Sequence, residues 1–527
     1  MRSHITAAAS ALLALQSACT SNSHARRDAG GSMPTSEGAT KSSSSARTSS
    51  ATSVLEHHDH PSRDGVYVDP QLTKDAAARL HIDTSFGGAS LRGPTYAQPL
   101  YLVSKAGKPD LVIAATEQDV VDAFDAGTGK VIWERTLGNP VPRSQLPCGN
   151  IDPLGVTGTP IIDSDTRTLF LDAMVLQGSA PHHQVFSLDA DTGADRSGWP
   201  VDLNDTVSVG ATKFDSRVQN QRGALALLAG TVFVPFGGHF GDCGAYHGFV
   251  IGIPVEAPSK VRVWATRAIA GGIWAPGGIA SDGASLYFAT GNTESEPNDF
   301  SAPTTWQDGN ALFRLSPDLK FDGKSTSYFV PSDWPELDDS DRDLGGSNPI
   351  VLDVPGATPP HLVIALGKDG KAYVSDRENL GGAGAPLASA TVSSSVIINA
   401  PAAYSTQNGS YVVFKGPGKG CPKGQQGGLT AIRISATDPP ALAVAWCAGP
   451  ATLASPAVSV TDDKGSNAIV WIVGNDNKLH ALDGDSGVSV FDGGASAMSS
   501  VQKFQTPIIT GGRVFVAAND RLYAFAP

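Results

Sequence analysis

The sequence predicts an all-β chain folded as an eight-bladed β-propeller, with seven blades as the alternative. Three observations predict it. One hairpin unit recurs at residues 121–133, 185–199 and 479–491: an alternating strand, Asp-x-x-Thr/Ser-Gly, then a strand ending in an aromatic. Gly (58) and Pro (36) mark frequent turns, while helix punctuation is nearly absent. The 527 residues exceed one ordinary core but suit one propeller of stacked sheets.

In each copy the acidic and hydroxyl side chains, Asp125 with Thr128, Asp189 with Thr192 and Asp483 with Ser486, can hydrogen-bond the turn backbone. The glycines Gly129, Gly193 and Gly487 supply a positive φ, and Trp133, Trp199 and Phe491 end the units.

The blades follow in order. The first runs from about Ala97 to Trp133, the second from Thr159 to Trp199 and the third from Leu225 to Trp264. The fourth holds residues 286–288 and 311–315, and the fifth 349–352, 361–364 and 372–374. The sixth runs from Asn399 to Trp446, and the seventh from the strand at 469–473 to Phe491. Residues 506–509, 514–516 and 522–525 give three strands before the sequence stops. The segment 81–86 can supply the missing outer strand and so close the ring, removing an open edge.

Upstream, a weakly basic start and an apolar run at 5–15 read as a signal peptide over 1–18, too short to span a bilayer. Small residues ending at Cys19 resemble a bacterial lipoprotein cleavage box, which implies lipidation of Cys19. Gln16 departs from that pattern, and ordinary cleavage near Ala18 is the alternative. Residues 19–55 are rich in Ser, Thr, Ala and Gly and read as a disordered tether. A lead-in with the closing strand occupies 56–96 and the propeller 97–527. The expected location is the bacterial outer membrane, periplasm or cell surface, with membrane contact only through the lipid, and the expected state is a monomer.

Four further cysteines in an exported chain imply two disulfides, with three pairings open. Cys421 and Cys447 flank one strand of one repeat unit, so we pair them, and Cys148 with Cys243. The net charge of −13 argues against a nucleic-acid partner. The cluster His57, His58, Asp59, His60 reads as a solvated lead-in rather than a metal site. Asp339 to Asp343 starts like a calcium loop but lacks the acidic residue at position twelve, so it is no EF-hand.

The repeat resembles that of pyrroloquinoline-quinone (PQQ)-type propellers, which include quinoprotein alcohol dehydrogenases and non-catalytic propeller lipoproteins. The resemblance sharpens where Gly271-Gly272-Ile-Trp274 precedes Thr290-Gly291-Asn292, with Trp274 and Asn292 18 residues apart. It implies Trp274 as the floor for a flat quinone, Asn292 as a calcium ligand and Lys368 as a contact to the quinone oxygens. It implies Asp341 or Asp343 as the catalytic base, and Asp242 as the nearest candidate for the carboxylate calcium ligand. Two family features are missing: the pair of adjacent cysteines, and an arginine for the cofactor carboxylates, since residues 149–160 contain no basic side chain. On that ground the leading expectation is a non-catalytic envelope or surface platform without cofactor, binding a protein or small molecule that the sequence does not name. In that reading Trp274 packs a blade. The alternative is a PQQ- and calcium-dependent dehydrogenase of alcohols or sugars.

Overall fold

The computed structural model describes residues 51–204 and 206–527. The calls on the signal peptide, Cys19 and most of the tether lie outside these residues.

Eight sheets, each with a four-stranded antiparallel core, follow one another along the chain. Blade 1 is Leu100–Leu102, Leu111–Ala115, Val120–Asp125 and Val131–Thr136. Blade 2 spans Ile161–Asp163 to Val201–Asp202, blade 3 Ala226–Leu228 to Arg262–Ala265, and blade 4 Ala280–Ser281 to Tyr328–Pro331. Blade 5 spans Ile350–Asp353 to Ala388–Thr391, blade 6 Ala402–Thr406 to Leu442–Ala448, and blade 7 Ala457–Val460 to Ser489–Phe491. The inner and middle strands are almost wholly buried because both sheet faces pack on neighbouring blades. The eighth blade settles the count. Ile508–Thr510, Arg513–Ala517 and Leu522–Ala526 receive their outer strand from His81–Ile82, which pairs antiparallel with Phe525 and Ala526. Among the described residues no helix is long and apolar enough to cross a membrane.

The repeat turns work as the residue types require. Asp125 accepts from the amides of Gly127 (2.7 Å) and Thr128 (3.0 Å), and Asp483 from the amide (2.9 Å) and hydroxyl (2.7 Å) of Ser486. The aromatic at the end of one unit belongs to the contact with the next blade. Trp133 Nε1 donates to Ala190 O (3.1 Å), and Trp446 Nε1 to Gly484 O (2.8 Å), both carbonyls within the next blade's turn. A Cβ on Gly193 would lie 2.7 Å from the Trp133 ring, and one on Gly487 2.8 Å from the Trp446 ring. The turn glycine is therefore needed twice, for its φ near +72° and +73° and for the close approach of the indole.

The lead-in corrects the sequence reading. Residues 51–55, expected in the tether, are packed: Val54 is buried and bridges to Tyr101. His57 and His58, expected in solvent, are buried. Residues 55–65 meet the inner strand, or the residues leading into it, of every blade. Leu55 O accepts from Ile162 N (2.8 Å), His58 N donates to Gln98 Oε1 (3.0 Å), and His57 Nε2 faces the Thr506 hydroxyl (3.4 Å). Arg63 donates to Leu225 O (2.7 Å) and Ile279 O (3.0 Å). The carbonyls of Ser62, Asp64 and Gly65 accept from Val351, Ala403 and Val458. A segment that reaches all eight inner strands lies on the propeller axis. It forms an axial plug there and answers inner-strand polar groups that have no strand partner on that side.

Candidate functional site

A cavity of about 870 Å³ opens where the connections between blades meet the loops joining second and third strands. It lies within the size range of small-molecule sites, roughly 300–1,000 Å³, at the upper end.

Trp274 stands in the connection entering blade 4 and is half-buried, turned to the cavity rather than to a blade core. The expectation of a blade-packing tryptophan is therefore corrected. Its segment is laced to that of Asn292 by Gly291 N to Gly272 O (2.9 Å). Trp274 Nε1 donates to Asp343 Oδ2 (2.9 Å), and Asp343 Oδ1 lies 2.6 Å from Lys368 Nζ. Lys368 also donates to Asp341 Oδ1 (2.7 Å), which accepts from Asn292 Nδ2 (3.0 Å). The Lys368 ammonium lies 5.1 Å from the centre of the Trp274 ring. Trp274, Asn292, Asp341, Asp343 and Lys368, drawn from two blades, thus form one bonded group. Asp343 is buried, while the Asp341 side chain is 78% exposed. Asp242 lies on the same cavity wall, with Oδ1 accepting from Tyr246 (2.7 Å).

Burial alone would lower the Lys368 pKa, but Asp343 and Asp341 outweigh it and hold the ammonium above its usual range. Asp338, beneath Asn292, is pushed up to about 7 by burial despite hydrogen bonds from Thr293 and Asn310. His239 is pushed down to about 4 by burial and faces the cavity neutral at pH 7.

Sequence reasoning missed Arg222. It sits in the connection entering blade 3, with its guanidinium 5.7 Å from the Trp274 ring centre. Among the described residues it has no ion pair or side-chain hydrogen bond, and burial lowers its pKa. No basic side chain stands at 149–160, and Arg222 stands in the connection one blade later. The available signal was its place just before an inner strand, the same place that carries Trp274 and Asp343. Lys415 and Lys503 also line the cavity and were missed.

Both disulfides are present. Cys148–Cys243 (Cα–Cα 6.1 Å) ties the loop carrying His239, Phe240 and Asp242 to the connection between blades 1 and 2. Cys421–Cys447 (Cα–Cα 5.7 Å) lies within blade 6.

The donor set fits a flat, multiply anionic aromatic: an indole face flanked by Arg222 and Lys368, in a cavity with further unpaired cations. It fits a divalent cation less completely. Among the described residues no three His, Cys, Asp or Glu side chains are grouped to hold a metal, and Lys368 is already paired with both Asp341 and Asp343. Asp242 and the Asn292 amide oxygen remain, the latter also accepting from Asn310 Nδ2 (3.2 Å), so the ligand's own oxygens would have to complete a calcium shell.

No protein-family profile and no characterised sequence matches this chain. Solved structures do match in fold. A quinohemoprotein alcohol dehydrogenase from Pseudomonas putida HK5 superposes with a TM-score of 0.61 at 11% identity, covering 90% of this chain and 80% of that one. One from Comamonas testosteroni gives 0.59 at 14% identity, covering 92% and 81%. A europium-containing methanol dehydrogenase gives 0.61 at 13% identity, covering 90% and 98%. At these identities the likeness shows the eight-bladed quinoprotein-type propeller and nothing finer.

Proposed function

We propose that the cavity binds a planar polyanionic quinone of the PQQ class and that the protein is a quinone-dependent dehydrogenase acting on alcohols. The observation that carries the reading is the bonded group of Trp274, Asp343 and Lys368 with Arg222 beside the same indole. Trp274 would floor the cofactor, Arg222 would pair with its carboxylates, and Lys368 would contact its quinone oxygens. Asp242 and Asn292 would help hold a calcium ion. The quinone, when bound, supplies the two-electron acceptor that the protein's own side chains lack.

The chain's residues do the rest. Asp343 is the better of the two base candidates, because the Trp274 N–H and Lys368 fix its carboxylate inside the site. Asp341, exposed at the mouth, helps orient Lys368 and Asn292. The Cys148–Cys243 bridge holds the wall carrying Asp242.

The test is titration of purified protein with PQQ and Ca²⁺, followed by tryptophan fluorescence and by dye reduction with alcohols. We expect saturable quenching that Trp274→Ala abolishes. Arg222→Gln should weaken binding by on the order of 10–100-fold, the value of a lost charged contact. Asp343→Asn should bind quinone yet reduce no dye. Absence of quenching at micromolar quinone would sink the reading and favour a binding platform, which the exposed Phe240, Phe300, Val396 and Leu453 at the cavity mouth would suit. Export with a lipid anchor at Cys19 belongs to the same proposal. The two disulfides support an oxidising compartment, and Cys19→Ala should release the protein from membranes.

A further inference from the structure

The two sides of the cavity differ in charge. Asp242, Glu294, Asp338, Asp339, Asp341 and Asp343 line it on the side of blades 3 to 5, where they outnumber the cations Arg222 and Lys368. Lys415, at the end of the strand Gly409–Lys415 in blade 6, and Lys503, in the connection entering blade 8, line it on the other side. In a chain of net charge −13, several cations contact carboxylates. Arg63, Arg167, Arg267 and Lys371 each lie within 3.0 Å of one. Lys415 and Lys503 have no ion pair and no side-chain hydrogen bond among the described residues. Lys503 is instead held over two aromatic faces, 5.9 Å from the Phe240 ring centre and 5.7 Å from that of Phe504. Leu453, Val396 and Phe504 on the same side make the setting apolar, which strengthens any charge pairing formed there. Both lysines are half-buried, and burial depresses their pKa values, with the positive charge of Arg222 adding to the effect at Lys503. An arriving anion would relieve that cost.

We infer that Lys415 and Lys503 form a subsite for the anionic group of the substrate, so that the substrate class is an alcohol carrying a carboxylate on a short apolar chain. The inference rests on the dehydrogenase reading. The hydroxyl would reach Asp343 on the acidic side while the carboxylate lies on the basic side, and the apolar chain would cross surface shared by Phe504, Leu453 and Val396. A cavity of about 870 Å³ leaves room for both cofactor and such a substrate.

The experiment compares hydroxybutyrate with butanediol on the parent and on Lys415→Gln, Lys503→Gln and the double variant, using full-length protein. With PQQ and Ca²⁺ present, the parent should favour hydroxybutyrate by about tenfold or more in kcat/KM, carried by KM, and the double variant should lose that preference. Without quinone, calorimetry should show hydroxybutyrate binding that weakens with salt and with each substitution. Turnover with no preference for the anion would overturn the subsite alone. A parallel loss of PQQ affinity in the lysine variants would overturn it too, since the lysines would then hold the cofactor. Lysine-dependent hydroxybutyrate binding with no quinone binding at all would overturn the dehydrogenase reading and leave the anion subsite standing.

Discussion

Asp119 is fully buried with neither carboxylate oxygen in a hydrogen bond, close to the buried Glu117. Burial first, then the charges of Glu117 and Asp172, push Asp119 up to about 9, and burial pushes Glu117 up to about 8. Both folded values lie above the unfolded ones. The protonated forms therefore contribute stability that is full at low pH and is lost as pH rises through 8 to 9. His57 and His58 act in the opposite sense but only below the unfolded histidine value near 6.5. His60, held up to about 9 by its hydrogen bond to Asp64, loses stability in the same window as the carboxylates, so the Asp119 variant is what separates the contributions. The unfolding free energy should fall between pH 7 and pH 9, at up to about 1.4 kcal/mol per pH unit for each group, and the melting temperature should fall with it. Asp119→Asn should flatten that slope. An unchanged slope in the variant would refute the assignment. At this scale Trp274, Asn292 and Lys368 were legible because each sits in a short local motif. Arg222, Lys415 and Lys503 were not: each lies in a different blade, and only closure of the ring brings them to one cavity.

The repeat hairpin was the most legible element, since strand alternation and turn chemistry are local. The next-blade docking of its tryptophan was not. Gly487→Ala tests that docking: the new Cβ meets Trp446 at 2.8 Å on a backbone with φ of +73°. A loss of roughly 1–3 kcal/mol by denaturant titration is expected. The closing strand His81–Ile82 was legible because three strands without a fourth imply a donor elsewhere. Deleting residues 78–90 should expose the edge of Leu522–Ala526 and also remove the buried Leu80 and Phe86. A lower melting temperature and aggregation should follow. A deletion that melts like the parent would mean that the pairing contributes nothing.

For the whole molecule, the axial plug is the feature that the sequence concealed. His57, His58, Asp59 and His60 read as solvated chain, yet His57 and His58 are buried, and Arg63 just after them is fully buried against Glu56 (2.6 Å) and two carbonyls that lead into inner strands. Arg63→Met would leave Glu56 without its cation and should cost about 3–5 kcal/mol. Replacing both residues together should recover much of that loss, and a double-mutant cycle on urea midpoints measures the difference.

Taken alone, the sequence determined the repeat, the blade order, the closing strand, both cysteine pairings and the motifs around Trp274, all carried by residues near one another in the chain or by simple pairing. The tertiary structure alone decided the axial plug and the places of Arg222, Lys415 and Lys503 on one cavity wall. The physical reason is geometric: a closed ring of eight sheets turns eight separate connections into one wall, and no local pattern records which side chains will face each other across it.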